Sequence, residues 1–190
     1  FDNGGAANAD NGGVIGAFLN HNSATAGMSP SSSDRIESSA VLNDLLTINA
    51  DRNLEFRGAW DGGGNDIVFE NTGRIYWNNN TGSGVLSNVG TLTINEGEAR
   101  FDGLAGSSGN LVGAADIVVG NGILGFGTRA FARLFLVNTE ATQTANISLN
   151  GGWFVNDLGN NDQTFTGNLT VTGTADTNII DLNDPGSQEQ

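Results

Sequence analysis

The groups best placed to do chemistry in this chain are the oxygens of Asp61-Gly62-Gly63-Gly64-Asn65-Asp66-Ile67-Val68. Carboxylate and carboxamide oxygens are hard donors that suit Ca²⁺, and the glycines let backbone carbonyls turn inward beside them. Asp61, Asn65 and Asp66 are therefore the candidate calcium ligands. An ordinary Gly-rich turn accounts for the same residues, because such calcium loops work as tandem arrays and one copy is present.

Other constellations are thinner. His21 is the sole histidine and there is no cysteine. A Ser/His/Asp arrangement needs a positioned imidazole, and a zinc site needs several His or Cys ligands. Paired carboxylates serve glycosidases, but most of the acidic residues here sit beside Gly or Asn, where a solvated turn is the plain reading. Arg74, Glu98, Arg100 and Asp102 are the one group that could share an exposed face and act on a polysaccharide. The Thr170-x-Thr172-x-Thr174 run does not recur at one repeat position, so strand propensity accounts for it better than ice binding does. Trp60, Tyr76 and Trp153 could stack on sugars, with core packing as the ordinary alternative. The expectation is a protein that is not an enzyme and requires no cofactor, with calcium the only candidate ion.

The chain has 190 residues and a formal charge of −14, with a sequence pI near 4.1. Such a surface repels phosphate backbones and anionic membranes, so nucleic acid is not an expected partner. All seven basic residues are arginine. No apolar run is long enough to span a bilayer, the best candidate, 123–137, being interrupted by Arg129 and Arg133; membrane insertion is not expected. The first residue is Phe1, which reads as the start of a processed mature protein or an excised fragment.

These residues must be positioned by short elements. Glycine numbers 29 and hydrophobic residues make up 37 %, a balance that disfavours helices and suits many strands and tight turns. Strand-length runs recur, among them Leu45-Leu46-Thr47-Ile48, Asp66-Ile67-Val68-Phe69 and Thr91-Leu92-Thr93-Ile94. Asn71-Thr72-Gly73-Arg74-Ile75-Tyr76-Trp77-Asn78 and Asn95-Glu96-Gly97-Glu98-Ala99-Arg100-Phe101-Asp102 both read Asn-x-Gly-x-apolar-x-aromatic-polar. Their offset of about 24 residues is one turn of a β-solenoid. The stretch from Gly122 to Gly127 continues the series, and Thr47-Ile48-Asn49 leading to Phe56 mirrors Thr93-Ile94-Asn95 leading to Phe101. Stacked coils bury faces that one coil cannot bury alone. Ile75, Trp77, Ala99, Phe101, Leu124 and Phe126 are thus expected inside, as ladders. Gly73, Gly97 and Gly122 are expected at a corner needing positive φ, flanked by Asn71, Asn95 and Asn121.

Gly90-Thr91-Leu92-Thr93-Ile94-Asn95-Glu96-Gly97, followed by Phe101-Asp102-Gly103, resembles the autotransporter-associated β-strand repeat, as does Thr164-Phe165-Thr166-Gly167-Asn168-Leu169-Thr170-Val171. The resemblance implies a secreted or surface-displayed bacterial protein with a right-handed parallel β-helix, and no catalytic residues. Asp61 to Val68 likewise resembles a single Gly-x-Gly-Asn-Asp-x-apolar calcium repeat.

The expected fold is all-β: a short right-handed parallel β-solenoid of about six coils, at roughly 4.8 Å each a rod of about 30 Å. A β-sandwich or jelly roll is the alternative. Residues 1–40 read as a Gly/Asn/Ser-rich arm, cap or linker, 41–182 as the solenoid and 183–190 as a tail. Open solenoid ends expose unpaired strand edges, and Val14, Ile15, Phe18 and Leu19 could cap the first coil or pair with the next subunit. The expected function is an extracellular structural or adhesive module, with end-to-end self-assembly into a filament or surface layer, itself as partner, as one form it could take. The alternative is a carbohydrate-binding or polysaccharide-cleaving domain with glycan partners.

Overall fold

A computed structural model describes residues 17–21, 34–51, 53–70, 73–78, 85–102, 112–122, 132–137, 142–157, 164–173 and 178–181. Strands follow in chain order as β1 Ala17–His21, β2 Asp34–Ile36, β3 Ala40–Val41, β4 Leu46–Ala50, β5 Leu54–Phe56, β6 Trp60–Asp61, β7 Ile67–Phe69, β8 Arg74–Asn78 and β9 Leu86–Ile94. The second half adds β10 Glu98–Asp102, β11 Val112–Val119, β12 Arg133–Val137, β13 Thr142–Gln143, β14 Asn146–Asn150, β15 Trp153–Asp157, β16 Thr164–Phe165, β17 Leu169–Thr172 and β18 Ile179–Asp181. No helix occurs among the described residues.

The strands stack into two long parallel sheets. The first runs β1-β4-β7-β9-β11-β14-β17, the second β18-β15-β12-β10-β8-β5-β2. The chain alternates between them, so each pass through both completes one coil: a β-solenoid. A jelly roll would require antiparallel pairs, whereas every recorded pairing of the long sheets is parallel. Each path is seven strands deep among the described residues, against the six or so coils expected. The surplus comes from the N-terminal side: β1 and β2 lie within residues 1–40, which the sequence assigned to an arm, cap or linker. The solenoid therefore begins before residue 41. The 183–190 tail, Val14 and Ile15 lie outside the described residues.

Alternation within each strand builds the core. In the first sheet, Leu46, Ile67, Leu92, Ile117 and Ile147 form one inward column, and Ile48, Phe69, Ile94, Val119 and Leu149 another. In the second, Leu54, Ile75, Ala99, Leu134 and Phe154 align, beside Phe56, Trp77, Phe101 and Leu136. All are buried. Neighbouring strands are about 4.8 Å apart, which brings aligned rings to stacking distance. Phe56 and Trp77 have centroids 4.6 Å apart and Trp77 and Phe101 5.1 Å, with interplanar angles of 16° and 8°. Phe69, from the opposite sheet, stacks on Trp77 at 5.5 Å. Trp60 meets Phe56 edge-on.

The expected ladder is thus correct for Ile75, Trp77, Ala99 and Phe101. Its third copy is displaced: the residue aligned after Phe101 is Leu136, while Leu124 and Phe126 lie outside the described residues. The coil from Ala99 to its partner Leu134 is longer than the one from Ile75 to Ala99, so extra chain separates the two sheets there. Gly97 and Gly122 do turn the corner with φ of 74° and 77°, a region costly for residues carrying a Cβ.

Candidate functional site

The outer face of the second sheet carries a ladder of charges. Positions between the inward columns align Arg35, Glu55, Tyr76, Arg100 and Phe135 from successive coils. A parallel column aligns Arg74, Glu98, Arg133 and Trp153. Asn78 pairs with Asp102 at the far edge, and Arg57 follows β5. Every arginine among the described residues stands on this one face.

The contacts are specific. Glu55 accepts hydrogen bonds from Arg35 Nε and Arg57 Nε, both at 2.9 Å, and from Asn78 Nδ2 at 2.6 Å. One coil further, Asp102 accepts from the Tyr76 hydroxyl and from Arg100 Nε, the latter at 3.2 Å. Glu98 pairs with Arg74. Two guanidinium groups lie over rings, Arg100 at 5.6 Å from the Tyr76 centroid and Arg133 at 4.6 Å from that of Trp153.

The contacts set the protonation states of these groups. Burial alone would raise the Glu55 carboxyl, but the bonds from Arg57, Asn78 and Arg35 outweigh it and hold the group below its ordinary value. It is a carboxylate at neutral pH, with no proton to donate. Burial, and then the bond to Asp102, push the Tyr76 hydroxyl well above the ordinary phenol value, so it does not serve as a base. What the face offers is layered charge. The carboxylate side chains are 5 % (Glu55), 11 % (Glu98) and 6 % (Asp102) exposed. The guanidinium side chains above them are 55 % (Arg35), 44 % (Arg74), 27 % (Arg100) and 21 % (Arg57) exposed. Solvent meets arginine, and the acids beneath hold it in place.

Sequence reasoning placed Arg74, Glu98, Arg100 and Asp102 together, and the structure brings them onto adjacent strands. It missed Arg35, Glu55, Arg57 and Asn78. The signal was present: Glu55-Phe56-Arg57, Tyr76-Trp77-Asn78 and Arg100-Phe101-Asp102 each flank an inward ring with polar residues. Of the three aromatics weighed as sugar platforms, Trp60 is buried, and Tyr76 and Trp153 are half-buried on this face.

The glycine-rich turn uses its polar groups locally. Asp61 Oδ1 accepts from Gly63 N at 2.8 Å and from Asn88 Nδ2 at 3.1 Å. Asn65 Nδ2 donates to the Leu42 and Gly62 carbonyls at 3.1 and 3.0 Å. Asp66 Oδ1 accepts from Thr91 N at 2.7 Å. These bonds tie the turn to the coils on either side. No group of three or more His, Cys, Asp and Glu residues suited to a metal occurs among the described residues.

At a corner of the first sheet, Asn49, Glu70, Asn95, Glu96 and Asn121 line an open polar groove of about 300 Å³. Asn95 and Asn121 do flank the corner as expected; Asn71 lies outside the described residues.

At the C-terminal end, Leu169 and Val171 occupy the columns of Ile147 and Leu149, and Ile180 that of Phe154. Here the columns are open: Leu169, Val171, Ile179 and Ile180 are 48, 54, 39 and 44 % exposed. At the other end, β1 pairs with β4 of its own chain, setting Phe18 beside Thr47 and Leu19 beside Ile48. Leu19 is partly buried and packs against the core. No known family matches the chain, and neither a curated protein nor a solved structure does.

Proposed function

We propose that this chain is a structural module of an extracellular or cell-surface assembly, joined end to end with copies of itself. The open last coil carries the proposal. Its residues are apolar where the columns beneath are apolar, and among the described residues its strands β17 and β18 each end their sheet with an unpaired edge. Such an edge recruits another strand unless it is blunted, and fully burying a Leu, Ile or Val side chain is worth about 1.5–3 kcal/mol. The first coil of a second copy continues the register. Its β1 would set Ala17 against Leu169 and Leu19 against Val171, and its β2 would bring Arg35 towards Asp181. A contact that joins unlike ends without closing builds an open rod. Secretion rests on the resemblance to autotransporter-associated repeats.

Light scattering across a concentration series, with negative-stain electron microscopy, tests the assembly. Elongated multimers that grow with concentration are expected. Val171→Lys should hold the protein monomeric while leaving its unfolding midpoint nearly unchanged, since the side chain is already half exposed. Monodisperse single particles at every concentration would overturn the proposal.

A further inference from the structure

Apart from Arg35 on the first coil, the arginine ladder lies away from the ends and has a use that end-to-end joining does not supply. We propose that the outer face of the second sheet binds a linear acidic polysaccharide, one bearing a carboxylate on each sugar, laid along the stack of coils.

Four features on this face meet what such a polymer needs. The first is the layering: the guanidinium groups of Arg35, Arg74 and Arg100 stand over carboxylates that are almost fully covered and are each held by the Nε edge, while that of Arg133 lies over the Trp153 ring with its Nε buried and unpaired. A guanidinium is the side chain best shaped to take a carboxylate through two parallel bonds, and a fork already held in place loses less freedom on binding. The second is the rings. Tyr76, Phe135 and Trp153 stand half-buried among the arginines, giving apolar faces for the C–H surfaces of sugars. The third is spacing. Arg74 and Arg133 share a column with the Glu98 coil between them, and two coils span about 10 Å. That is close to the disaccharide length of an extended ribbon-like polymer, whose acid groups on one side recur at that interval. The fourth is contrast. In a chain of charge −14, this is where all the described arginines stand.

The field of the whole chain opposes any polyanion, so the arginines and rings of this face must supply the attraction locally. An acidic edge of a second copy is the other occupant to consider, but it would make no use of the rings.

Calorimetry with polygalacturonate, fully methyl-esterified polygalacturonate and poly-glutamate tests the assignment on the intact protein. The esterified polymer keeps the sugar and removes the charge; poly-glutamate keeps the charge and removes the sugar. Binding is expected for polygalacturonate, with affinity roughly tenfold or more weaker for each of the other two. The paired substitution Arg74→Gln and Arg133→Gln should weaken polygalacturonate binding by about tenfold or more. No binding of polygalacturonate, or equal binding of either control polymer, would overturn the proposal. So would a paired variant that binds as the parent does yet loses self-association, since this would assign the face to subunit contacts. The polymer comparison needs no variant, so it stands even if the paired substitution unfolds.

Discussion

Replacing Trp77 with alanine is expected to cost about 4–5 kcal/mol of unfolding free energy, the upper end of the range for removing a large buried aromatic side chain. The reasons lie in the stack. Trp77 is 1 % exposed, and Phe56, Phe69 and Phe101 each lose a stacked partner with it. Such ring pairs are worth about 0.5–1.5 kcal/mol each beyond the area they bury. Since domains of this size are stable by only about 5–15 kcal/mol, the loss would remove from about a third to nearly all of that margin. Trp77→Phe should behave quite differently. It keeps a ring in the column, and it deletes an indole Nε1–H that is buried without a hydrogen-bond partner. Relief of that unpaired donor, about 1–3 kcal/mol, offsets the smaller ring, so the net change should stay within about 1.5 kcal/mol. Trp60→Phe supplies the contrast, because Trp60 Nε1 donates to the Ser38 carbonyl at 3.0 Å and that bond would be lost. Urea titrations followed by far-ultraviolet circular dichroism measure all three. If Trp77→Ala cost less than about 1.5 kcal/mol, or Trp77→Phe cost as much as Trp77→Ala, the continuous aromatic column would not be what holds the coils together.

Other outcomes follow from the polar contacts. Glu55 is held below its ordinary value of 4.5 in the folded chain, so its contribution to stability is complete above that pH and is lost as pH falls through the lowered value. Glu55→Gln should cost about 1–3 kcal/mol at neutral pH and flatten the acid limb of a stability–pH curve; an unchanged limb would show that Glu55 is not linked to folding. Asn65→Ala removes the two bonds to the Leu42 and Gly62 carbonyls and should cost about 1–2 kcal/mol in the same titration. Added Ca²⁺ should leave the thermal midpoint unchanged, because Asp61, Asn65 and Asp66 already serve the turn and the neighbouring coils. A rise in midpoint abolished by Asp61→Asn or Asp66→Asn would instead make these residues calcium ligands.

How far the sequence revealed this arrangement depended on spacing. The column through Phe56, Trp77 and Phe101 was legible because the coils on either side of Trp77 are close in length, so like residues recur at a near-constant interval. The next coil was not, because a longer connection carries the chain to Arg133–Val137, while Gly122 to Gly127 imitates the repeat in passing. The first coil was obscured by composition. β1 and β2 are short strands amid Gly-, Asn- and Ser-rich chain, and their order comes from lying on the coil above rather than from their own propensity. The charged face was half legible. Glu55 and Asp102 read as ordinary surface acids until register set them beside Arg57 and Arg100. Cross-coil partners such as Arg35 and Asn78 cannot be assigned before the alignment of coils is known.

The hydrogen bonds that join successive coils point along the stack, not across it. Tension applied at the two ends therefore loads one row of bonds at a time, from the outermost coil inward. Stability in such a stack is a sum over neighbouring layers, so the rod should not rupture as a unit under load. It should pay out chain coil by coil, with the long connection before Leu134 yielding the greatest length. Extension then comes with much of the stack still folded.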